Sequence, residues 1–266
     1  MKLIGLIFTI ILATGGAASA NVSPDRVFKD AKKNSVSNLK TRSLRQLNFL
    51  QSKNYKPDQV NLQMARVYFD RDQLDKAIEH YNRVPKSSEL WLEAIEEKAW
   101  AYLRKGDFSK SLEQTLTLLA PVFDQHVNSE VYYLSAVNRY FVCDYEGVFN
   151  TIQQFKTRYK QRIEALEQLA STGQNEATRK LFAIVKARPA IFENVASLSI
   201  QLPPYHYRDE KLKVLYSSLL ENKDNPTLSS RIQDRISGRL KKLAQLELQK
   251  IKKNIDKLLV VEAEII

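Results

Sequence analysis

A recurrence of 34 residues in the middle of the chain constrains the fold more than any other feature of the sequence. Ala65 and Ala99 are 34 residues apart, and so are Tyr68 and Tyr102. A third copy follows at Ala136, at a spacing of 37, so it carries a three-residue extension. A period of this length is typical of stacked helical hairpins, each of which buries its apolar face only against its neighbours.

The turns within these copies match as well. Gly106-Asp107-Phe108 in the second copy aligns with Cys143-Asp144-Tyr145 in the third. Small residues where helices cross, aromatic residues where they pack and a short turn between them resemble the tetratricopeptide (TPR) signature over roughly 58–159. The closing prolines, Pro85 and Pro121, fit this signature loosely, and Arg139 stands where an aromatic residue is expected. The alternative is a chance pair of amphipathic hairpins.

The resemblance implies an all-α fold, a right-handed TPR-type solenoid of helical hairpins with a long C-terminal helix. The expected segments are a signal peptide at 1–20, N-terminal helices forming a degenerate capping repeat at 21–57, TPR-like repeats at 58–160, irregular helical hairpins at 161–222 and a long basic amphipathic or coiled-coil helix at 226–266. Two consecutive prolines interrupt the irregular part within 202–207, which is interpreted as a packed elbow or as a binding loop. Only seven Gly and eight Pro disfavour a β-rich or loop-rich architecture.

The C-terminal segment predicts one long helix that begins at Asn225-Pro226-Thr227. Its apolar residues follow the 4-3-4-3 spacing of a coiled-coil seam, at Ala244, Leu248, Ile251, Ile255 and Leu258. Lysines coat the other faces of this helix. The helix either packs back onto the last hairpins or projects towards a partner or a second copy of the chain.

The first twenty residues predict export. Lys2 supplies a positive charge, residues 3–13 form an apolar run, and Ala18-Ser19-Ala20 provides small residues for cleavage before Asn21. The run is shorter than the ~20 apolar residues of a spanning helix, which disfavours the alternative of an uncleaved membrane anchor. We therefore expect an exported, periplasmic protein that has no transmembrane span after signal cleavage.

Charge and cysteine content narrow the range of partners. The chain has 41 Lys and Arg against 30 Asp and Glu, and loss of Lys2 with the signal leaves a net charge of about +10. This excess suits anionic envelope polymers or lipid head groups, or else solvated helix faces, and export argues against nucleic acid. The single Cys143 excludes a disulfide within the chain. It is interpreted as a half-buried small residue or as a site of intermolecular pairing.

The sequence contains no pattern for catalysis or for a cofactor. His80, His126 and His206 are scattered, there is no cysteine pair for a metal, and there is no Gly-rich phosphate loop or Gly-x-Ser-x-Gly elbow. Paired acids such as Glu96-Glu97 are typical of solvated helix faces. The sequence therefore predicts that the chain is not an enzyme and has no catalytic, cofactor-binding or metal-binding residues.

The TPR resemblance also implies a concave groove lined by exposed positions on the first helix of each hairpin. Carried over to matching positions, the groove residues are Leu62, Arg66 and Phe69 in the first copy, Glu96, Trp100 and Leu103 in the second, and Tyr133, Val137, Tyr140 and Phe141 in the third. Several of these are aromatic, so the groove is expected to bind an extended or helical peptide. The alternative is that the N-terminal segment or the C-terminal helix of the same chain fills the groove.

Together these patterns predict a non-enzymatic exported scaffold or adaptor that binds protein partners in a cell-envelope complex. Self-association through the C-terminal helix is a second mode of assembly. The first alternative is a basic protein that binds an envelope polymer or lipopolysaccharide, and strong salt dependence of envelope binding would favour it. The second alternative is an unrecognised helical enzyme with a site assembled only in three dimensions.

Overall fold

The computed structural model describes residues 23–123, 126–187, 201–203, 206 and 209–266. These residues form eleven α-helices and no β-strand, which confirms the predicted all-α fold. The chain divides into two compact units, residues 1–55 and residues 56–266. In chain order the helices are α1 (Pro24–Ser35), α2 (Lys40–Ser52), α3 (Pro57–Phe69), α4 (Leu74–Asn82), α5 (Trp91–Lys105), α6 (Phe108–Leu118), α7 (Ser129–Phe141), α8 (Tyr145–Thr172), α9 (Glu176–Ala187), α10 (Glu210–Glu221) and α11 (Pro226–Ala263).

The first unit is a hairpin of α1 and α2. The side chain of Ser23 caps α1 by accepting a hydrogen bond from the Arg26 N–H. Ser43 Oγ on α2 donates a hydrogen bond to the carbonyl oxygen of Ala31 on α1 at 2.8 Å. Ala31 is fully buried, and so are the α2 leucines at positions 47 and 50. This close approach of the two helices explains why a small residue stands at Ala31.

The second unit begins with three consecutive hairpins, α3/α4, α5/α6 and α7/α8, in which each helix packs against the next. All three turns contain a residue with a left-handed backbone, with φ of 60° at Asp72, 81° at Gly106 and 60° at Cys143. The residue after it precedes the second helix with φ between −87° and −91°. The turn geometry therefore repeats at the same spacings of 34 and 37 residues as the sequence pattern.

Small residues stand where the two helices of each hairpin cross. Ala65, Ala99 and Ala136 are completely buried. Ser111 Oγ on α6 donates a hydrogen bond to the Ala99 carbonyl oxygen on α5 at 2.7 Å, so these two helices approach closely. Because protein interiors are close-packed, these positions leave no space for a larger side chain.

Helix α8 is 28 residues long, so the boundary expected at residue 160 lies inside a continuous helix. It ends at Gly173, whose φ of 78° lies in the left-handed region that favours glycine. A Cβ atom at this position would lie 3.1 Å from the Ser237 carbonyl oxygen on α11. The end of α8 is therefore set both by the turn it makes and by the close approach of α11.

Helix α11 confirms the long C-terminal helix predicted from the sequence. It has 38 residues, and the side chain of Asn225 caps it ahead of Pro226. It packs against α7 and α8, while α10 packs against α11 and α9 packs against α10. The seam residues Ala244, Ile251 and Leu258 are buried in the apolar core that these helices share. Of the two arrangements expected for this helix, the structure has the one that packs back onto the hairpins.

Two further expectations are affected by the structure. Cys143 is exposed and has a left-handed backbone, so its interpretation as a half-buried residue is wrong. In the segment 202–207, predicted as a packed elbow or a binding loop, Leu202 and His206 are buried, whereas residues 204, 205 and 207 lie outside the described residues. The predicted signal at 1–20 also lies outside the described residues. In the part of the chain that the structure describes, no helix is both long enough and apolar enough to cross a membrane.

Candidate functional site

Two of the predicted groove residues take part in packing between neighbouring hairpins. Leu62 on α3 is buried. Arg66 on α3 reaches α5, where its Nη2 lies 2.5 Å from an oxygen of Glu93 and 2.6 Å from an oxygen of Glu97. Glu97 also accepts a hydrogen bond from the Tyr81 hydroxyl at 3.0 Å. The charge of Arg66 is therefore used inside the protein to join α3 to α5.

Glu96 is also internal, although the sequence pattern indicates a solvated pair of acids at Glu96-Glu97. Its side chain is only 8% exposed, and its Oε2 accepts a hydrogen bond from Asn128 Nδ2 at 3.1 Å. Burial, together with the charge of Glu130, raises the pKa of Glu96 to about 8. The solvated interpretation of Glu96 is therefore wrong, and its carboxyl is largely protonated at neutral pH.

The C-terminal helix covers the next two groove residues, Trp100 and Tyr133. Their ring centroids lie 6.1 Å apart. Lys257 Nζ on α11 lies 4.3 Å from the Tyr133 centroid and 5.9 Å from the Trp100 centroid. One turn earlier on α11, Asn254 Nδ2 donates a buried hydrogen bond to Ser129 Oγ at 2.8 Å. At this point a side chain of the chain's own C-terminal helix lies over two of the predicted groove residues.

Phe69, Leu103 and Val137 are half-buried. The guanidinium carbon of Arg104 lies 5.0 Å from the Phe69 ring centroid. Arg104 Nη1 also donates a hydrogen bond to the Phe69 carbonyl oxygen at 3.1 Å. A cation from α5 thus covers one face of the Phe69 ring, which makes the ring a weaker anchor for a partner.

The remaining two groove residues belong to an aromatic cluster formed by Phe108, Tyr140, Phe141 and Tyr145, of which Phe141 and Tyr145 are exposed and the other two are half-buried. The Phe141 ring stacks on Phe108 with centroids 4.2 Å apart and planes 11° apart. The Tyr140 ring lies 5.6 Å from Phe141 and 6.3 Å from Tyr145. Phe141 is 51% exposed and Tyr145 is 44% exposed. Phe149, one turn after Tyr145 on α8, is 40% exposed and extends this apolar surface.

Capped turns hold the aromatic cluster in place. Asp144 Oδ1 accepts a hydrogen bond from the Gly147 N–H at 3.0 Å, and its other oxygen pairs with Arg139. A Cβ atom at Gly147 would collide with both of these side chains, so glycine leaves room for the ion pair. Asp107 caps α6 in the same way by accepting from the Lys110 N–H. The first residues of α6 and α8, which carry two of the four rings, therefore start from fixed positions.

The sequence prediction missed Phe108, Tyr145 and Phe149. It considered only the first helix of each hairpin, whereas these three residues lie on the second helices. A signal was present, because the pairs at 107–108 and 144–145 repeat an acid followed by an aromatic residue at the same turn. Their equivalence indicates that the two rings stand at matching places in successive hairpins.

The described residues contain no group of three or more His, Cys, Asp or Glu side chains placed to hold a metal ion. His80 is buried with Nδ1 3.0 Å from Asn61 Oδ1, and burial lowers its pKa. Burial likewise lowers the pKa of His206 to about 4. Both imidazole rings are therefore neutral at pH 7 and contribute to packing.

No protein-family model matches this chain, and no curated protein matches it either. The TPR likeness stays a resemblance, based on the spacing of the alanines and on the repeated turn.

Proposed function

We propose that this chain is an exported, non-enzymatic scaffold that binds a protein partner of the cell envelope through the aromatic cluster. The observation behind this proposal is that Phe141 and Tyr145, whose rings both lie near the Tyr140 ring, are exposed on a folded hairpin, as is Phe149 one turn after Tyr145. Contiguous exposed apolar surface on a soluble domain marks interaction sites. Large rigid rings also bury much area at a small cost in side-chain entropy.

The expected partner presents apolar side chains on an acidic surface. The stacked rings of Phe108 and Phe141 offer a flat apolar wall to which aliphatic or aromatic side chains can pack. The net charge of the mature chain, about +10 after loss of Lys2 from the +11 of the full sequence, attracts an acidic protein over long range and accelerates the encounter. The positive charge thus favours acidic partners over basic ones, while the rings supply the binding energy.

This proposal places the partner at the turn of the third hairpin and not in the middle of the predicted groove. Trp100 and Tyr133 lie beneath Lys257, so a partner would have to displace this lysine side chain of α11 to reach them. The aromatic cluster needs no such rearrangement. Tyr140 and Phe141 are therefore the two residues of the predicted groove that we retain for partner binding.

Export is part of the proposal and is supported by the signal-like pattern at 1–20. The mature chain is expected to begin at Asn21. Intact-mass measurement of the protein isolated from its native cells tests this. Recovery of a chain that retains Met1 in the membrane pellet would contradict it.

Photo-crosslinking in cells tests the partner surface directly. p-Benzoylphenylalanine in place of Phe141 should give one dominant adduct with an envelope protein, which mass spectrometry identifies. The same group in place of Val214, an exposed apolar residue on α10, serves as the control and should not give this adduct. Identical adducts at both positions, or an adduct with a second copy of the chain, would contradict the proposal.

Alanine substitutions then measure the contribution of the rings to binding of the identified partner. Phe141→Ala combined with Tyr145→Ala should weaken Kd by about 30-fold or more, because truncation of a hot-spot residue costs ~2 kcal/mol. Val214→Ala should leave Kd unchanged. Since both rings are about half exposed, the melting temperature should fall only slightly. An unchanged Kd in the double variant would exclude the aromatic cluster as the binding site.

A further inference from the structure

A narrow apolar slot lies between α8 and α11, separate from the aromatic cluster. Its volume is about 210 Å³. On α8 its lining extends from Ile152 to Ile163, which at 1.5 Å per residue is about 16 Å along the helix. Helix α11 contributes Ile255, Leu258 and Leu259. An apolar cavity of about 150 Å³ is large enough to hold benzene, so the slot has room for a slender apolar ligand.

The walls of the slot are apolar. Of its lining residues, Ile152, Phe155 and Leu258 are buried. Tyr159 also lines the slot, but its hydroxyl donates a hydrogen bond to the Val127 carbonyl oxygen at 3.3 Å. The hydroxyl is therefore satisfied within the protein, and the slot itself favours hydrocarbon.

Positive charge is concentrated at one edge of the slot. Lys156 and Lys160 line it from successive turns of α8. Lys156 Nζ lies 3.6 Å from a carboxylate oxygen of Glu262 on α11, a long contact for an ion pair. At this edge of the slot Lys156 is only loosely paired, and Lys160 pairs with no acid among the residues that the structure describes.

We propose that the slot binds a fatty acid, with its hydrocarbon chain between α8 and α11 and its carboxylate held by Lys156 and Lys160. A volume of about 210 Å³ spread along about 16 Å of α8 suits one unbranched chain better than the branched side chains of a second protein. Two ammonium groups on one edge select an anionic head group over a neutral one. This inference does not depend on the partner proposed for the aromatic cluster.

Calorimetric titration of the full mature chain with octanoate, decanoate and dodecanoate tests whether the slot binds the hydrocarbon chain. The association constant should rise about fourfold for each added methylene until the slot is full. Dodecanol, which has the same chain and no charge, should bind at least about tenfold more weakly than dodecanoate. Equal affinities for the acid and the alcohol, or no dependence on chain length, would overturn the proposal.

Charge variants test the head-group part with a matched control. Lys156→Glu with Lys160→Glu should weaken dodecanoate binding by about tenfold or more. Lys242→Glu with Lys252→Glu makes the same change in net charge at exposed positions of α11 outside the slot, and should have little effect. Equal effects of the two double variants would attribute binding to overall charge and would overturn the proposed site.

Removal of the competing carboxylate should act in the opposite direction. Glu262→Gln frees Lys156, so dodecanoate should bind up to about fivefold more tightly, as expected for release from a surface ion pair. Weaker binding in this variant would show that Glu262 supports the site and does not compete for it, which contradicts the proposed role of Lys156.

A steric variant locates the ligand. Ile163→Trp should fill one end of the slot and abolish dodecanoate binding, whereas Leu246→Trp, at an exposed position of α11 outside the slot, should not. Circular dichroism checks that both variants are folded. If Ile163→Trp does not fold, the charge variants alone test whether dodecanoate binds in the slot. If dodecanoate fails to bind and Ile163→Trp instead abolishes a dimer in sedimentation, the slot is a contact between copies and the proposal fails.

Discussion

Replacement of Glu96 by glutamine tests how strongly one buried carboxyl affects the stability of the hairpins. Glu96 on α5 accepts a hydrogen bond from Asn128 at 3.1 Å, and three other acids, Glu93, Glu97 and Glu130, surround it. Burial is the largest cause that raises the pKa of Glu96 from 4.5 to about 8, and the negative charge of Glu130 is the second. Glutamine keeps the shape and the hydrogen-bond acceptor of this side chain but does not titrate.

The sign of the effect follows from proton binding. In the unfolded chain Glu96 loses its proton near pH 4.5, whereas in the folded chain it keeps the proton up to about pH 8. Between these values the folded state binds more protons, so Glu96 makes the free energy of unfolding decrease as pH rises. At 1.36 kcal/mol per pKa unit, this loss reaches at most about 5 kcal/mol above pH 8 and vanishes below pH 4.5.

Urea unfolding at pH 5 and pH 8, followed by circular dichroism, measures this contribution. The gain in stability from Glu96→Gln should be about 3 to 4 kcal/mol larger at pH 8 than at pH 5, because the substitution removes the pH-dependent loss. Glu113→Gln, on the exposed face of α6, controls for the loss of one negative charge. If Glu96→Gln changes stability equally at both pH values, Glu96 is ionised in the folded protein and the argument from burial is refuted.

Three further substitutions test the packing of the hairpins and of α11. Gly173→Ala should lower the free energy of unfolding in urea by about 2 to 4 kcal/mol, since the left-handed backbone and the contact with Ser237 both oppose a Cβ atom. The control Gly106→Ala has a left-handed backbone but nothing within 4 Å of the added Cβ atom, so it should cost about 1 to 2 kcal/mol. Equal costs would contradict the close approach of α11. Ala99→Leu should overpack the α5–α6 crossing by ~1 to 3 kcal/mol and lower the melting temperature, and a neutral result would mean that the repeat register is wrong. Trp100→Ala should lower the melting temperature and leave partner binding unchanged; the reverse outcome would return the partner to the groove.

The hairpins could be predicted from sequence because their packing is local and periodic. The period in fact extends one copy further, since Ala31 lies 34 residues before Ala65. Ser43 follows Ala31 by 12 residues, just as Ser111 follows Ala99, and both serines donate to the carbonyl of that alanine. The sequence pattern hides this copy because Asn34 stands three residues after Ala31, where the next two copies have a tyrosine.

The groove could not be predicted because distant segments decide which of its residues are exposed. Asn254 and Ser129, the hydrogen-bonded pair that seats α11 on α7, are 125 residues apart in sequence. Glu96 is buried beside Asn128, which belongs to the next hairpin. A hairpin pattern defines which face of a helix points outwards from its own hairpin, but it contains no information on what later covers that face.

Helix α11 therefore separates two roles that the sequence assigns to one groove. Lys257 on one side of α11 covers Trp100 and Tyr133, and Leu259, two residues later, lines the slot towards α8. Residues two apart on a helix point in nearly opposite directions, so one face of α11 covers these two rings and the opposite face forms a wall of the slot. Substitutions beneath Lys257 should consequently affect stability, whereas substitutions of the exposed rings Phe141 and Tyr145 should affect binding much more than stability. This difference is what distinguishes a scaffold with a preformed docking surface from a groove that opens only when its own helix leaves.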